Sequence, residues 1–248
     1  PEVTTVNGVR TVSLIGGTGG AAGTHYVGPI APESVTDSGT SRTIEAWIYN
    51  PDSQAEETIF SWSRRGGPDG TNVSFNHGTN GTFGALGQWG ADADVGWNGE
   101  IVFNAWTFIA YTYDADTTTT RVFKDGALVN EEQHGLSLLP FDEDTAGNPI
   151  PFRIGRQINN DGTLSDVGVG AVHIARLRVH DEALDEDTLS GTFEEEKAAF
   201  GLGDTDGDGL GDGYENSFDF LDPNNGDDAA LDQDEDGLSN LGEFENDT

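Results

Sequence analysis

Trp106-Thr-Phe-Ile-Ala-Tyr-Thr-Tyr113 is the stretch that decides the fold class. It is β-branched and aromatic, and it carries largely apolar side chains on both faces of a two-residue period. Such a strand belongs in the middle of a sheet, buried on both sides. Downstream, Arg121-Val-Phe-Lys124 runs into Asp125-Gly126, a tight-turn signal, and then Ala127-Leu-Val129, which together read as a hairpin. Upstream, Arg42–Tyr49 alternates, with Ile44, Ala46 and Ile48 on one face and Glu45, Trp47 and Tyr49 on the other. Further period-two segments are Arg10–Ile15, Thr58–Ser63, Asn72–His77, Phe83–Gln88, Thr120–Lys124, Pro151–Gly155 and Ala171–His180. One helix is expected, over Asp185–Phe200, with Asp187 or Thr188 as its N-cap. Many short strands and few helices predict an all-β sandwich or barrel, with a core built from Ile44, Ile48, Phe108, Ile109, Tyr111, Phe123, Ile154, Ile174 and Val179.

The ordered set Thr43-Ile-Glu-Ala-Trp47, Trp106–Asp114, Arg121–Leu128, Ile154-Gly155 and Ile174-Ala-Arg-Leu-Arg-Val-His-Asp-Glu-Ala-Leu184 resembles the laminin-G-like domains of the concanavalin A-like superfamily. The resemblance covers roughly residues 5–198 and implies an antiparallel jelly-roll β-sandwich of two curved sheets. It also implies that relatives often hold a calcium ion in a sandwich loop, for which Asp114, Asp116 and Asp125 are candidates here. Lectins, adhesion domains, glycoside hydrolases and spacers all share this superfamily, so the fold leaves function open.

The 248 residues include 45 acidic and 11 basic side chains, a net charge of −34, with no Cys and no Met. A surface this negative disfavours nucleic acid and anionic membranes. No apolar run is long enough to span a bilayer. The absence of Cys removes disulfide frameworks and thiolate chemistry. Two Lys against 45 acids also fits a salt-adapted secreted protein, which points to an extracellular or cell-surface bacterial protein of a marine or saline habitat.

Sixteen of the acids, and no Lys or Arg, fall in residues 202–248. They are spaced rather than blocked. Asp204, Asp206, Asp208, Gly209, Asp212 and Glu215 follow the same twelve-residue pattern as Asp232, Asp234, Asp236, Gly237, Asn240 and Glu243, 28 residues later. Calcium requires six to eight hard oxygens. Carboxylates at loop positions 1, 3 and 5, a glycine turn at 6, a carbonyl at 7 (Leu210, Leu238), a water-linked side chain at 9 and a bidentate Glu at 12 supply them. Magnesium, which keeps its waters, fits less well. Two calcium ions or more are therefore expected. Short helices should leave each loop at Tyr214–Phe218 and Leu241–Phe244. The repeats resemble thrombospondin type 3 and dockerin calcium loops. The domains expected are a sandwich over 1–200 and a calcium-loop region over 201–248 that begins a longer array.

The sequence offers little for catalysis. It has no Glu-x-Asp-x-x-Glu strand, Gly-x-Ser-x-Gly elbow or His-Glu-x-x-His motif. Glu131-Glu132, Asp142–Asp144 and Glu194–Glu196 are placed in turns or the helix. His173 and His180 read as structural. Residues 61–100 instead concentrate sugar-binding chemistry: Trp62, Trp89 and Trp97 as aromatic plates, Arg64 and Arg65 as planar donors suited to acidic glycans, and Asn72, Asp92, Asp94 and Asn98 as hydroxyl partners. The competing reading is core Trp beside a Gly-rich turn whose Arg pairs with Asp92 or Asp94. The function classes that follow are a glycan-binding or adhesion module on a calcium-stabilised stalk, its partner a polysaccharide or cell-surface glycan; a structural surface protein packing against neighbouring subunits; and, third, a divergent glycoside hydrolase or lyase.

Overall fold

A computed structural model describes residues 2–14, 23–37, 39–52, 54–99, 101–168, 170–234 and 237–246. The chain divides into two compact units: Pro1–Thr4 with Arg10–Ser190, and Thr5–Val9 with Gly191–Thr248.

The larger unit is an antiparallel jelly-roll sandwich. Its strands are β1 (Glu2–Val6), β2 (Val9–Ser13), β3 (Tyr26–Ile30), β4 (Arg42–Tyr49), β5 (Thr58–Ser63), β6 (Asn72–Asn76), β7 (Trp106–Asp114), β8 (Thr119–Lys124), β9 (Ala127–Gln133), β10 (Pro151–Ile154) and β11 (His173–His180). Seven of them order as β1-β2-β11-β4-β7-β8-β9 and four as β3-β10-β5-β6. β4 and β7 pair without a break from Arg42 opposite Tyr113 to Tyr49 opposite Trp106. Both strands are buried nearly end to end: β7 is largely apolar on both faces, and β4 buries Arg42 and Glu45 beside its apolar side chains. Between the sheets, Ile44, Ala46, Ile48, Ile109, Tyr111 and Ile174 meet Phe60, Trp62, Val73 and Phe75. Asp125 (φ 50°) and Gly126 (φ 78°) both adopt left-handed backbone, the turn that matches hairpin twist between β8 and β9. The Asp125 carboxylate accepts the Phe108 N–H at 3.0 Å and pins that turn to β7.

Several boundaries differ from expectation. Phe83–Gln88 is no strand: Thr82 and Phe83 N–H groups bond the Asn80 side chain in a turn, and Leu86 makes isolated bridges to Phe75 and Val95. β1 and β3 were not expected; their exposed faces carry too little alternation to signal a strand. Glu131 and Glu132 lie in edge strand β9 rather than a turn. The expected helix divides into α2 (Glu186–Glu196) and a 3-10 turn (Lys197–Phe200), preceded earlier in the chain by a single-turn helix α1 (Glu33–Thr36). Its cap is Asp185, whose carboxylate accepts the Thr188 N–H at 2.9 Å, rather than Asp187 or Thr188. Within the expected core, Phe108 and Phe123 are buried, while Ile154 and Val179 are only partly so. Ile15, at the end of one expected strand, lies outside the described residues.

The smaller unit holds α3 (Asp212–Glu215) and α4 (Asn240–Asn246). Its apolar centre consists of Leu210, Leu221 and Ala229 with Tyr214 and Leu241 packed on them. The two loops repeat in geometry as well as sequence. Gly209 (φ 98°) and Gly237 (φ 99°) take the same left-handed turn. Each donates its N–H to the loop's first carboxylate, Asp204 at 3.0 Å and Asp232 at 2.9 Å.

Candidate functional site

The sandwich carries a cavity of about 390 Å³ lined by Glu56, Arg65, Asn72, Phe83, Gly87, Trp89, Gly90, Asp94 and Gln157. Arg65 follows β5, Asn72 opens β6, and Gln157 follows β10, so three neighbouring strands of the smaller sheet aim polar groups at one spot. The network is continuous. Arg65 Nη1 donates to Glu56 at 2.8 Å and to the side-chain Oε1 of Gln157 at 3.2 Å. Gln157 Nε2 donates to Glu56 at 2.6 Å and Thr58 at 2.9 Å. Asn72 Nδ2 donates to the Gly87 carbonyl at 2.8 Å and to Gln157 at 3.3 Å. These bonds fix the side chains before any ligand arrives.

Trp89 forms one wall, with the Arg65 guanidinium 5.9 Å from its ring centre. Its φ of 67° is unusual for a bulky side chain. Such strain costs roughly 1–3 kcal/mol and persists where the surroundings enforce it; here the Trp89 carbonyl accepts the Gly70 N–H at 2.8 Å. Asp94 accepts the Gln88 N–H at 2.7 Å. Burial pushes its carboxyl up to about 6, against the pull of the Gln88 and Trp89 N–H groups and of Arg65.

Of the nine residues singled out in 61–100, this cavity gathers Arg65, Asn72, Trp89 and Asp94. Trp62 is 1% exposed, in the inter-sheet core against Phe60 and Phe152. Trp97 is 9% exposed, with its Nε1 donating to the Gly84 carbonyl, and borders a separate depression with Thr79 and Phe103. Arg64 stacks on Phe141 at 3.8 Å and donates to the Glu143 carbonyl and the Asn160 side chain. Asp92 and Asn98 are exposed, Asp92 in another depression with Glu132 and His134. The carboxylate partner of an Arg in this segment is Glu56 on Arg65, rather than Asp92 or Asp94. Glu56 and Gln157 were not anticipated. They lie 101 residues apart, and no local pattern announces their meeting.

Asp114 and Asp125 are both occupied locally. Asp114 accepts from the Asp116 N–H and the Thr117 hydroxyl, and Asp125 from the Phe108 N–H. Asp116 thus meets Asp114 through its backbone.

In the smaller unit, Asp204, Asp206 and Asp208 converge, and Asp208 also meets Glu215 and Asp228, with ligand atoms of each group within 4.8 Å of one another. The oxygens Asp206 Oδ2, Asp208 Oδ2 and both of Glu215 are buried without a hydrogen-bond partner. Burial and the surrounding carboxylates push the Glu215 carboxyl up to about 7. Asp212 turns to Thr205, accepting its N–H at 2.8 Å and its hydroxyl at 2.9 Å. Asn240 donates to the Asp228 carbonyl at 2.7 Å. Asp236 lies outside the described residues; Asp234, Leu238 and Glu243 remain with Asp232 in the second loop.

Residues 21–190 match the family model described as the concanavalin A-like lectin/glucanases superfamily. The chain belongs to this family. A search of curated proteins finds no match. Among solved structures, the family member resembles the CBM40 of the Ruminococcus gnavus IT-sialidase bound to alpha2,3 sialyllactose, at 14% identity, covering 74% of this chain and 96% of that one with a TM-score of 0.50. It also resembles a candidate carbohydrate binding protein from Bacteroides ovatus (18% identity, 73% and 47% coverage, TM-score 0.46). A third likeness is the binding domain of Paraclostridial Mosquitocidal Protein 1 (12%, 78% and 45%, TM-score 0.48). The chain thus spans about half the length of the latter two. At these identities the likeness is one of fold.

Proposed function

We propose that this protein is an extracellular glycan-binding module followed by a calcium-binding segment of thrombospondin type 3-like loops. The observation that carries the binding reading is the cavity in which strained Trp89 stands beside the prearranged donors and acceptors of Arg65, Asn72, Gln157 and Asp94. A sugar ring lays its C–H face on the indole while its hydroxyls bond the planar groups. Arg65 already lies against Glu56, and Asp94 adds a second carboxylate. Neutral or amino sugars fit this balance better than the acidic glycans that an Arg pair suggests. For the calcium reading, the support is the set of buried carboxylate oxygens without partners in a region that holds no Lys or Arg. Asp204, Asp206, Asp208 and Glu215 would hold the first ion and Asp232, Asp234, Asp236 and Glu243 the second. A bound divalent cation supplies the counter-charge that such burial demands.

A glycan array with calcium present, followed by calorimetry on the best neutral hit, tests the binding reading. Trp89→Ala should weaken that hit at least tenfold. The two carboxylates Glu56 and Asp94 in one cavity make hydrolysis the competitor. Release of reducing sugar by the wild type, lost in Asp94→Asn, would replace binding with catalysis. An array without hits would favour the assembly reading, in which exposed Val27 and Ile30 on edge strand β3 meet a neighbouring subunit.

A further inference from the structure

Asp228 belongs to neither twelve-residue loop, yet it is 2% exposed and its Oδ1 is buried without a partner. Its Oδ2 is held by the Asp222 N–H at 2.8 Å, and its carbonyl by Asn240. Asp228 also offers a carboxylate oxygen within 4.8 Å of oxygens of Asp208 and Glu215. Glu215 is 0% exposed, and neither of its oxygens has a partner. Five oxygens of these two clusters, which share Asp208, are therefore buried without a partner: one each from Asp206, Asp208 and Asp228, and two from Glu215. No Lys or Arg occurs between residues 202 and 248 to neutralise them. Burying Glu215 and Asp228 beside half-buried Asp206 and Asp208 without a cation is far costlier than leaving them in water.

We propose that Asp228 is a ligand of the first repeat's calcium, so that one ion ties loop 204–215 to the segment around Leu221–Ala229. This rests on the calcium reading above and extends it. Five carboxylate oxygens cover most of the six to eight that calcium takes, with backbone or water completing the shell. The ion becomes a cross-link across Asn216–Asp227, and Leu221 and Ala229 pack on Leu210 as part of the same closure. Asn240, from the second loop, orients Asp228 and links the two repeats.

The test titrates calcium calorimetrically into the chelator-stripped full chain and into Asp228→Asn, Glu215→Gln and Asp232→Asn. Asn at 228 keeps an oxygen for the Asp222 N–H, so a purely structural role would leave binding unchanged. The proposal expects Asp228→Asn to weaken one site at least tenfold, as Glu215→Gln does, while Asp232→Asn weakens the other. Limited proteolysis between 216 and 227 should be blocked by calcium in the wild type and restored in Asp228→Asn at the same calcium concentration. Wild-type affinity and protection in Asp228→Asn would overturn the proposal and leave the calcium reading standing. No calcium uptake by the wild type would overturn both.

Discussion

Trp62, Phe75, Tyr111 and Ile44 fill the space between the sheets, whereas Leu210, Leu221 and Ala229 make up the buried apolar centre of the C-terminal unit among the described residues. The same contrast holds for charge. In the sandwich several buried charges stand beside opposite charges, Glu56 with Arg65, Glu45 with Arg178 and Arg156 with Asp166, while Arg42 Nη1 and Nη2, Glu45 Oε2 and Glu57 Oε1 lack hydrogen-bond partners. The C-terminal unit buries Glu215 and Asp228 with oxygens left over. One region obtains its folding free energy from hydrocarbon taken out of water. On the calcium reading proposed above, the other would obtain it from a bound ion, so that binding free energy would be folding free energy. Changes in one region should leave the other's behaviour intact.

The largest mutational effect should come from the apolar interior. Trp62→Ala should cost roughly 3–5 kcal/mol in urea denaturation, with or without calcium, because it opens a cavity between Phe60 and Phe152. Leu210→Ala in chelator should leave that sandwich transition where it is. Equal shifts from both would erase the distinction between the regions.

Next in size is a pH effect confined to the sandwich. Glu57 is 0% exposed, and burial pushes its carboxyl from 4.5 to about 7, against hydrogen bonds from Asn50 and the Ala171 N–H. The folded state then holds a proton that the unfolded chain releases, so the Glu57 contribution to stability falls as pH rises from about 4.5 to 7. His77, also bonded to Asn50 and held neutral by burial at about 4, acts in the opposite direction between about 4 and 6.5. Glu57→Gln should remove the falling component, and by pH 7 the variant should gain up to about 3 kcal/mol on the wild type relative to their difference at pH 4.5. Parallel stability–pH curves would show that Glu57 titrates normally.

Smaller still are two changes on the surface. Trp89→Gly relieves the left-handed backbone, so stability should hold or rise by about 1 kcal/mol while glycan affinity collapses. A loss of stability would place Trp89 with Trp62 as a core residue. Arg64→Ala removes a guanidinium stacked on Phe141, worth about 1 kcal/mol or less, and should leave glycan binding untouched.

Legibility in the sequence follows the same division. β4, β5 and β7 were readable to within a residue because β7 is largely apolar on both faces, β4 alternates, and both ends of β5 meet turns. The repeat in the acidic unit was readable because its spacing is local, and Gly209 and Gly237 turn alike. What escaped was long-range. Glu56 meets Gln157, and Asp228 meets Glu215, only after the chain has folded back. Trp62 and Trp89 look alike in sequence, yet alternation along β5 sends the first into the core while the turn after β6 lifts the second into the cavity wall. Charge density was misleading for Arg64, whose partner is an aromatic ring outside the cavity.

Hydrogen–deuterium exchange of the whole chain, in calcium and in excess chelator, tests the division most directly, since it reads both regions at once. Chelation should expose the backbone amides of 204–246 to rapid exchange, while those of β4 and β7 stay protected. Protection of 204–246 that persists in chelator, or a loss that spreads evenly through β4 and β7, would contradict it.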